Sequence, residues 1–364
     1  MTHLNLAPAW ALLLVGTSLF GPAITATNSV AASAYPQYVV AAHWIVAGEG
    51  GWDYLTLDQD THRLFVTHGD RIEVIDTGTG KLVGEIANTI GVHGVALAPD
   101  LKRGFSSNGR ANSVTAFELG SLQPIKTVKV SGKNPDAIYY DQATRRVFTF
   151  NGKSANATVL NALTLEIEAT IPLTGKPEFV ASDGDGHLYV NIETGSGKMQ
   201  LLDTRTLKVR ATWPLPGCAN PSGLAIDIAH RRVFSLCENL VMVVTDADTG
   251  QQVARVPIGA DPDAAAFDAA TGLIFSSNGE SGTLTVVKQL DPNHYRVVAN
   301  LATQVSARTM ALDTHTHRIY LAAAAFAPVP QGQPEQQRPR MMPNTFSILV
   351  AEPRKELNED TLTR

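Results

Sequence analysis

The apolar positions recur in a fixed block. A short strand-like run ends in Asp, a polar turn follows, and a second run carrying an aromatic answers it. The copies are DYLTLDQDTHRLFV from Asp53, HGVALAPDLKRGFS from His93, DAIYYDQATRRVFT from Asp136 and EFVASDGDGHLYV from Glu178. SGLAIDIAHRRVFS from Ser222, DAAAFDAATGLIFS from Asp263 and RTMALDTHTHRIYL from Arg308 complete the set. Their starts lie 40 to 45 residues apart, which is room for four short strands and their turns. A second pair of runs fills each unit, as in RIEVIDTGTGKLVGEIA and LVMVVTDADTGQQVARVPI.

Seven such units predict an all-β chain: a seven-bladed β-propeller with four-stranded antiparallel blades. Each blade has two apolar faces, and its neighbours in the ring cover both. The last unit supplies a third strand at Phe346 to Ala351 and then ends. The missing fourth strand is expected from the chain start, where Gln37 to Val46 reads QYVVAAHWIV. The expected organisation is a propeller over 35–353, a Pro/Gln-rich insertion at 326–344 in blade seven, and a polar tail at 354–364. The insertion reads as a surface loop, a cover over the funnel or a docking loop.

Ala9 to Phe20 is an apolar run too short to span a bilayer, and Ala32-Ser33-Ala34 offers a cleavage site. Residues 1–34 are therefore expected to be a signal peptide, cut near Ala34, which places the product in the periplasm or outside the cell. No later segment is long enough to cross a membrane, and a monomer is expected. Hydrophobic residues make up 44% and charged ones only 17%, with a formal net charge of −5. Nucleic acid is thus a disfavoured partner. The basic turns Lys102-Arg103, Arg145-Arg146 and His230-Arg231-Arg232, with His315 and His317, read as solvated.

Gly132-Lys133-Asn134-Pro135-Asp136-Ala137, Cys218 to Ala225, Gly259-Ala260-Asp261-Pro262-Asp263 and Ser276 to Glu280 carry a further likeness. Through them the chain resembles the YVTN-repeat, YncE-like bacterial propellers over nearly all its mature length. The resemblance implies the fold. It does not imply one chemistry, because such propellers scaffold different functions.

The first residue of each repeat stands at the channel entrance of its blade: Asp53, His93, Asp136, Glu178, Ser222, Asp263 and Arg308. A second polar set interrupts the apolar second strands: His68, Asn108, Asn151, Asn191, Cys237 and Asn278. Both sets are candidate channel or ligand-binding residues. Three readings stand beside each other: turn caps in a wet channel, a site for a polar ligand or partner, and a cation site. The cation candidates are Asp53, Glu178, Asp263 and His93, with Ca²⁺ as a hard-ligand example. The middle Asp of each repeat, as at Asp58 and Asp227, is expected to cap its turn. Cys218 and Cys237 fall on one face of the repeat alignment. A disulfide between them is expected to staple the loop entering blade five to its own blade.

These features favour a binding or scaffold module for an envelope protein, peptide or small polar ligand. The alternative is a metal-dependent, lactonase-like hydrolase using metal-bound water in the channel.

Overall fold

The computed structural model describes residues 35–46, 48–193, 196–328 and 340–354. The expected signal peptide, residues 329–339 of the insertion and all of the tail beyond Arg354 lie outside them. The described strands form seven four-stranded antiparallel sheets. Blades one to six run in simple sequence order. Their innermost strands are Trp52–Asp58, Val92–Ala98, Pro135–Asp141, Pro177–Ser182, Pro221–Asp227 and Pro262–Asp268. Thr309–Asp313 is the inner strand of blade seven. Each inner strand touches the next around the ring, and Thr309–Asp313 touches Trp52–Asp58 to close it.

Blade seven is built from both ends of the chain. Tyr38–Ile45 pairs antiparallel with Ser347–Pro353, from Tyr38 opposite Pro353 to Ile45 opposite Ser347. The sequence expectation of a closing strand is met.

The burial pattern follows from this arrangement. Second strands are buried on both faces, as in Arg63–His68 and Arg146–Asn151, because each is wedged between neighbouring blades. Outer strands such as Lys81–Ile86 and Pro124–Lys129 are mostly exposed. The core is accordingly a set of clusters between blades. One joins Phe148, Phe150 and Val159 of blade three to Leu188, Val190 and Leu202 of blade four. Another joins Phe234 and Val244 of blade five to Ile274 and Val287 of blade six.

The turns opposite the entrance are bonded as well. Asp227 Oδ1 accepts from the His230 amide at 3.2 Å, and Asp313 Oδ1 accepts from the His315 amide at 2.9 Å. Several arginines are clasps between blades, and Arg103, Arg146 and Arg232 of the turns read as solvated are among them. Arg63 donates to the Leu119 carbonyl at 2.9 Å and Arg103 to the Leu163 carbonyl at 2.8 Å. Arg146 donates to the Thr204 carbonyl at 3.0 Å and Arg232 to the Pro292 carbonyl at 2.9 Å. A guanidinium fork reaches a neighbouring turn while its stem lies on apolar surface.

Cys218 and Cys237 form a disulfide, with Cα atoms 5.3 Å apart. Its position differs from the sequence expectation. Lys208–Ala219 is a single strand of blade four, and Ala219 pairs with Ser196 of that blade. Cys237 ends the second strand of blade five. The bond therefore ties blade four to blade five. It closes a loop of 19 residues' separation, and its reduction is expected to lower stability by about 3 kcal/mol. Denaturant melts of oxidised and reduced protein measure this. An unchanged midpoint would show that the link constrains nothing.

Candidate functional site

The entrance residues divide into four local groups. In the first, His93 Nδ1 lies 2.5 Å from Asp53 Oδ2 and 3.6 Å from Asp136 Oδ1. Candidate ligand atoms of these three side chains all lie within 4.8 Å of one another. Burial alone would lower His93. The hydrogen bond that the ring donates to Asp53 and the charges of Asp136 and Asp53 outweigh it and hold the imidazole at about 9. Burial lifts Asp136 to about 7; His93 pulls it down and the Asp53 charge pushes it up.

The second group is on blade four. Lys176 Nζ is 2.7 Å from Glu178 Oε2, close enough to pair as ions but without hydrogen-bond geometry. The same ammonium pairs with Glu193. Burial raises Glu178 to about 9, and the Asp136 charge and a hydrogen bond with Glu193 add to the shift. In the third group, Arg308 Nη1 is 3.2 Å from Asp263 Oδ2, and its Nη2 donates to the Trp52 carbonyl at 3.2 Å. Burial lifts Asp263 to about 6 against the pull of Arg308. Ser222 stands apart, its hydroxyl donating to the Pro262 carbonyl. Of the four cation candidates, only Asp53 and His93 share one ligand cluster; Glu178 goes with Lys176, and Asp263 with Arg308.

The second polar set is buried within and between the blades, Asn191 Nδ2 donating to the Ser222 carbonyl of blade five at 2.8 Å. Asn108, Asn151 and Asn278 are fully buried at the ends of second strands. Their amides hold their own hairpins: Asn108 Nδ2 donates to Thr115 Oγ1 at 2.9 Å and Asn151 Nδ2 to Thr158 Oγ1 at 3.0 Å. Asn278 does the same to Thr285 Oγ1 at 2.9 Å. His68 is also buried, with Nδ1 3.2 Å from Glu73 and its ring packed at a tilt against Phe346, centroids 4.1 Å apart. Its Nε2 is buried without a hydrogen-bond partner among the described residues.

Sequence reasoning missed Tyr54. Its hydroxyl crosses from blade one to donate to the Glu178 carbonyl of blade four at 3.0 Å. Its ring meets Phe179 edge-on at 5.0 Å. Burial raises the phenol well above its ordinary value, and the charges of Asp136, Glu178, Asp53 and Asp263 add to this, as expected at the axis. The repeats carried a signal. The residue after each entrance position is Gly94, Ala137, Gly223, Ala264 or Thr309 in five blades, and aromatic only at Tyr54 and Phe179. The small residues pack against the neighbouring inner strand, as Gly94 does on Ile138 and Gly223 on the Ala264 backbone, so the two aromatics stand out from the repeat pattern.

Beside this axis is a cavity of 620 Å³ between blades six, seven and one. Glu49, Asp261, Arg308 and Arg340 supply charge, and Trp52, Phe326 and Met341 supply apolar wall. Phe326 and Met341 pair across the base of the insertion, and Phe326 lies 6.0 Å from Trp52.

Seven closed blades around a charged axis bridged by Tyr54 define a seven-bladed β-propeller. Solved structures share the fold. A chain of Kuenenia stuttgartiensis hydrazine synthase superposes with a TM-score of 0.67 at 18% identity, over 79% of this chain and 96% of that one. The WD40 repeats of RRP9 give 0.72 at 10% identity, over 86% and 97%. U3-55K gives 0.71 at 10% identity, over 85% and 97%. At such identities the likeness is one of fold. No protein-family model matches the chain, and no curated protein matches it.

Proposed function

We propose that this chain is an exported, non-catalytic binding module that takes a peptide end or small polar ligand at its funnel mouth. The cavity between blades six, seven and one carries the reading. Its volume is that of a small-molecule site, and an apolar wall meets a few convergent charges, the usual chemistry of such sites. Arg340 is exposed at the rim, where a guanidinium suits a carboxylate. Phe326, Met341 and Trp52 suit an apolar side chain beside it. Export is supported by the apolar N-terminal run and by a disulfide of the kind that persists in oxidising compartments. Among the described residues, no helix is long and apolar enough to cross a membrane. The likeness to the YVTN-repeat propellers rests on Asn134-Pro135-Asp136, Asn220-Pro221-Ser222 and Asp261-Pro262-Asp263 at blade entrances and on Ser277-Asn278-Gly279 at the end of a second strand.

The test is calorimetric titration with short peptides that end in an aromatic residue. Peptides with a free carboxylate are expected to bind and to be recovered unchanged, while amidated counterparts bind at least tenfold more weakly. Arg340→Ala is expected to cost about tenfold, and Phe326→Ala several-fold. Binding indifferent to both substitutions, or no binding by any peptide, would sink the reading.

A further inference from the structure

The geometry points to a divalent transition-metal site formed by Asp53, His93 and Asp136, with Zn²⁺ the ion best suited among common probes. The three side chains come from successive inner strands of blades one, two and three. The ring closure fixes those strands against each other, so the cluster does not depend on a loop. Ligand atoms held tetrahedrally at about 2 Å from an ion stand roughly 3.3 Å apart, so the Asp53–His93 pair at 2.5 Å must open by somewhat under about 1 Å while the widest separation, within 4.8 Å, closes. Rotation of the side chains supplies that. Three protein ligands would leave a further position for water.

Two observations separate this cluster from an ordinary ion pair. The first is Asp136. Only 6% of it is exposed, and its carboxylate approaches His93 Nδ1 at 3.6 Å, beyond hydrogen-bonding reach. Among the described residues it has no hydrogen-bond donor. A buried carboxylate normally takes several, because its desolvation is costly. A cation between Asp136 and His93 Nδ1 would compensate it.

The second is the far side of the imidazole. Nε2 and Asn134 Oδ1 both border Gly109, where an added Cβ would collide with the ring. Were an ion to displace the Nδ1 proton that faces Asp53, the Asn134 carbonyl oxygen on this side would be placed to take the remaining Nε2–H. This is the usual outer support of a metal-bound histidine. The imidazole also selects among ions. Ca²⁺ and Mg²⁺ favour oxygen ligands, whereas first-row transition ions accept nitrogen.

The remaining charges permit it. Lys176 is held by Glu178 and Glu193, and Arg308 by Asp263; Lys176 favours the Asp136 charge through space, and neither cation bonds it. The site is separate from the 620 Å³ cavity, whose lining includes none of the three residues, so either can fail without the other.

The test is titration of the protein, stripped with chelator and returned to chelator-free buffer, with Zn²⁺ and separately with Ca²⁺. One Zn²⁺ per chain is expected, with no competition from equimolar Ca²⁺. His93→Ala and Asp136→Asn are each expected to weaken Zn²⁺ binding at least tenfold. Gly109→Ala is expected to weaken it similarly while keeping every ligand, because it displaces the ring. Absence of Zn²⁺ binding would overturn the proposal. So would binding unchanged in His93→Ala and Asp136→Asn, which would place the ion at a surface pair such as His230 and Asp227. Should these variants not fold, anomalous scattering from Zn²⁺-soaked wild-type crystals decides. A peak between the three side chains supports the site; a peak only elsewhere, or none, overturns it.

Discussion

Deleting Gln37 to Val46 is expected to abolish cooperative folding. The segment pairs along Tyr38–Ile45 with Ser347–Pro353, and among the described residues no other strand is available to that edge. Its side chains also reach the core. Tyr38 meets Phe275 of blade six at 5.2 Å and donates to the His317 carbonyl at 3.0 Å. Trp44 packs on Tyr320 at 5.6 Å, and Val46 joins the cluster between blades seven and one. Deletion exposes that apolar surface together with an unpaired edge whose residues are buried in the native ring. The loss is on the order of 5 kcal/mol or more, comparable with the whole stability of a typical domain. The truncated chain is expected to melt without a sharp transition and to aggregate. A synthetic peptide of residues 35–46 added in trans is expected to restore a cooperative melt. A truncated protein melting sharply near the wild-type temperature would show that the ring does not need this strand.

The second large effect is on pH dependence. Burial, the Asp136 charge and Glu193 raise Glu178 from its ordinary 4.5 to about 9. A carboxyl that holds its proton more tightly when folded stabilises the fold fully below its unfolded value. That contribution is lost as pH climbs from about 4.5 to about 9. His93, raised from 6.5 to about 9, acts in the same direction between those values. Asp136 and Asp263 act likewise, up to about 7 and about 6. The turn carboxylates Asp183, Asp246 and Asp313 are lowered. Their contribution changes only in more acidic solution, so they do not offset the trend. With chelator present, the melting temperature is therefore expected to fall from pH 5 to pH 9. Glu178→Gln keeps the neutral shape and removes the charge. It is expected to leave stability near pH 5 unchanged and to raise it at pH 9 by on the order of 2 kcal/mol. Parallel pH profiles for the two proteins would refute this.

The blades were legible because their signal is local and repeated seven times. Asp at a strand end, a polar turn and an answering aromatic strand recur at a spacing that admits one architecture. The closing strand was legible because blade seven lacked a partner for Ser347–Pro353. The site was less so. Entrance residues could be aligned, but alignment does not show that Asp53, His93 and Asp136 converge while Glu178 turns to Lys176. Those pairings depend on rotamers and on Lys176 and Glu193, which lie outside the aligned strand starts. Asn108, Asn151 and Asn278 interrupt apolar strands, which suggested the channel. A second strand is buried on both faces, so alternation does not tell the channel side from the hairpin side. The disulfide was foreseen, but its blade was not, because Lys208–Ala219 runs longer than the other outer strands.

Tyr54 changes the mechanics of the ring. In repeat architectures each unit contacts mainly its neighbours, and stability is close to a sum of local terms. The Tyr54 hydroxyl on the Glu178 carbonyl and its ring on Phe179 join blade one directly to blade four. Such a strut couples opposite sides of the circle without passing through the intervening blades. It resists ovalisation, and it adds a non-neighbour term that favours loss of all blades in one step over fraying from a single weak joint.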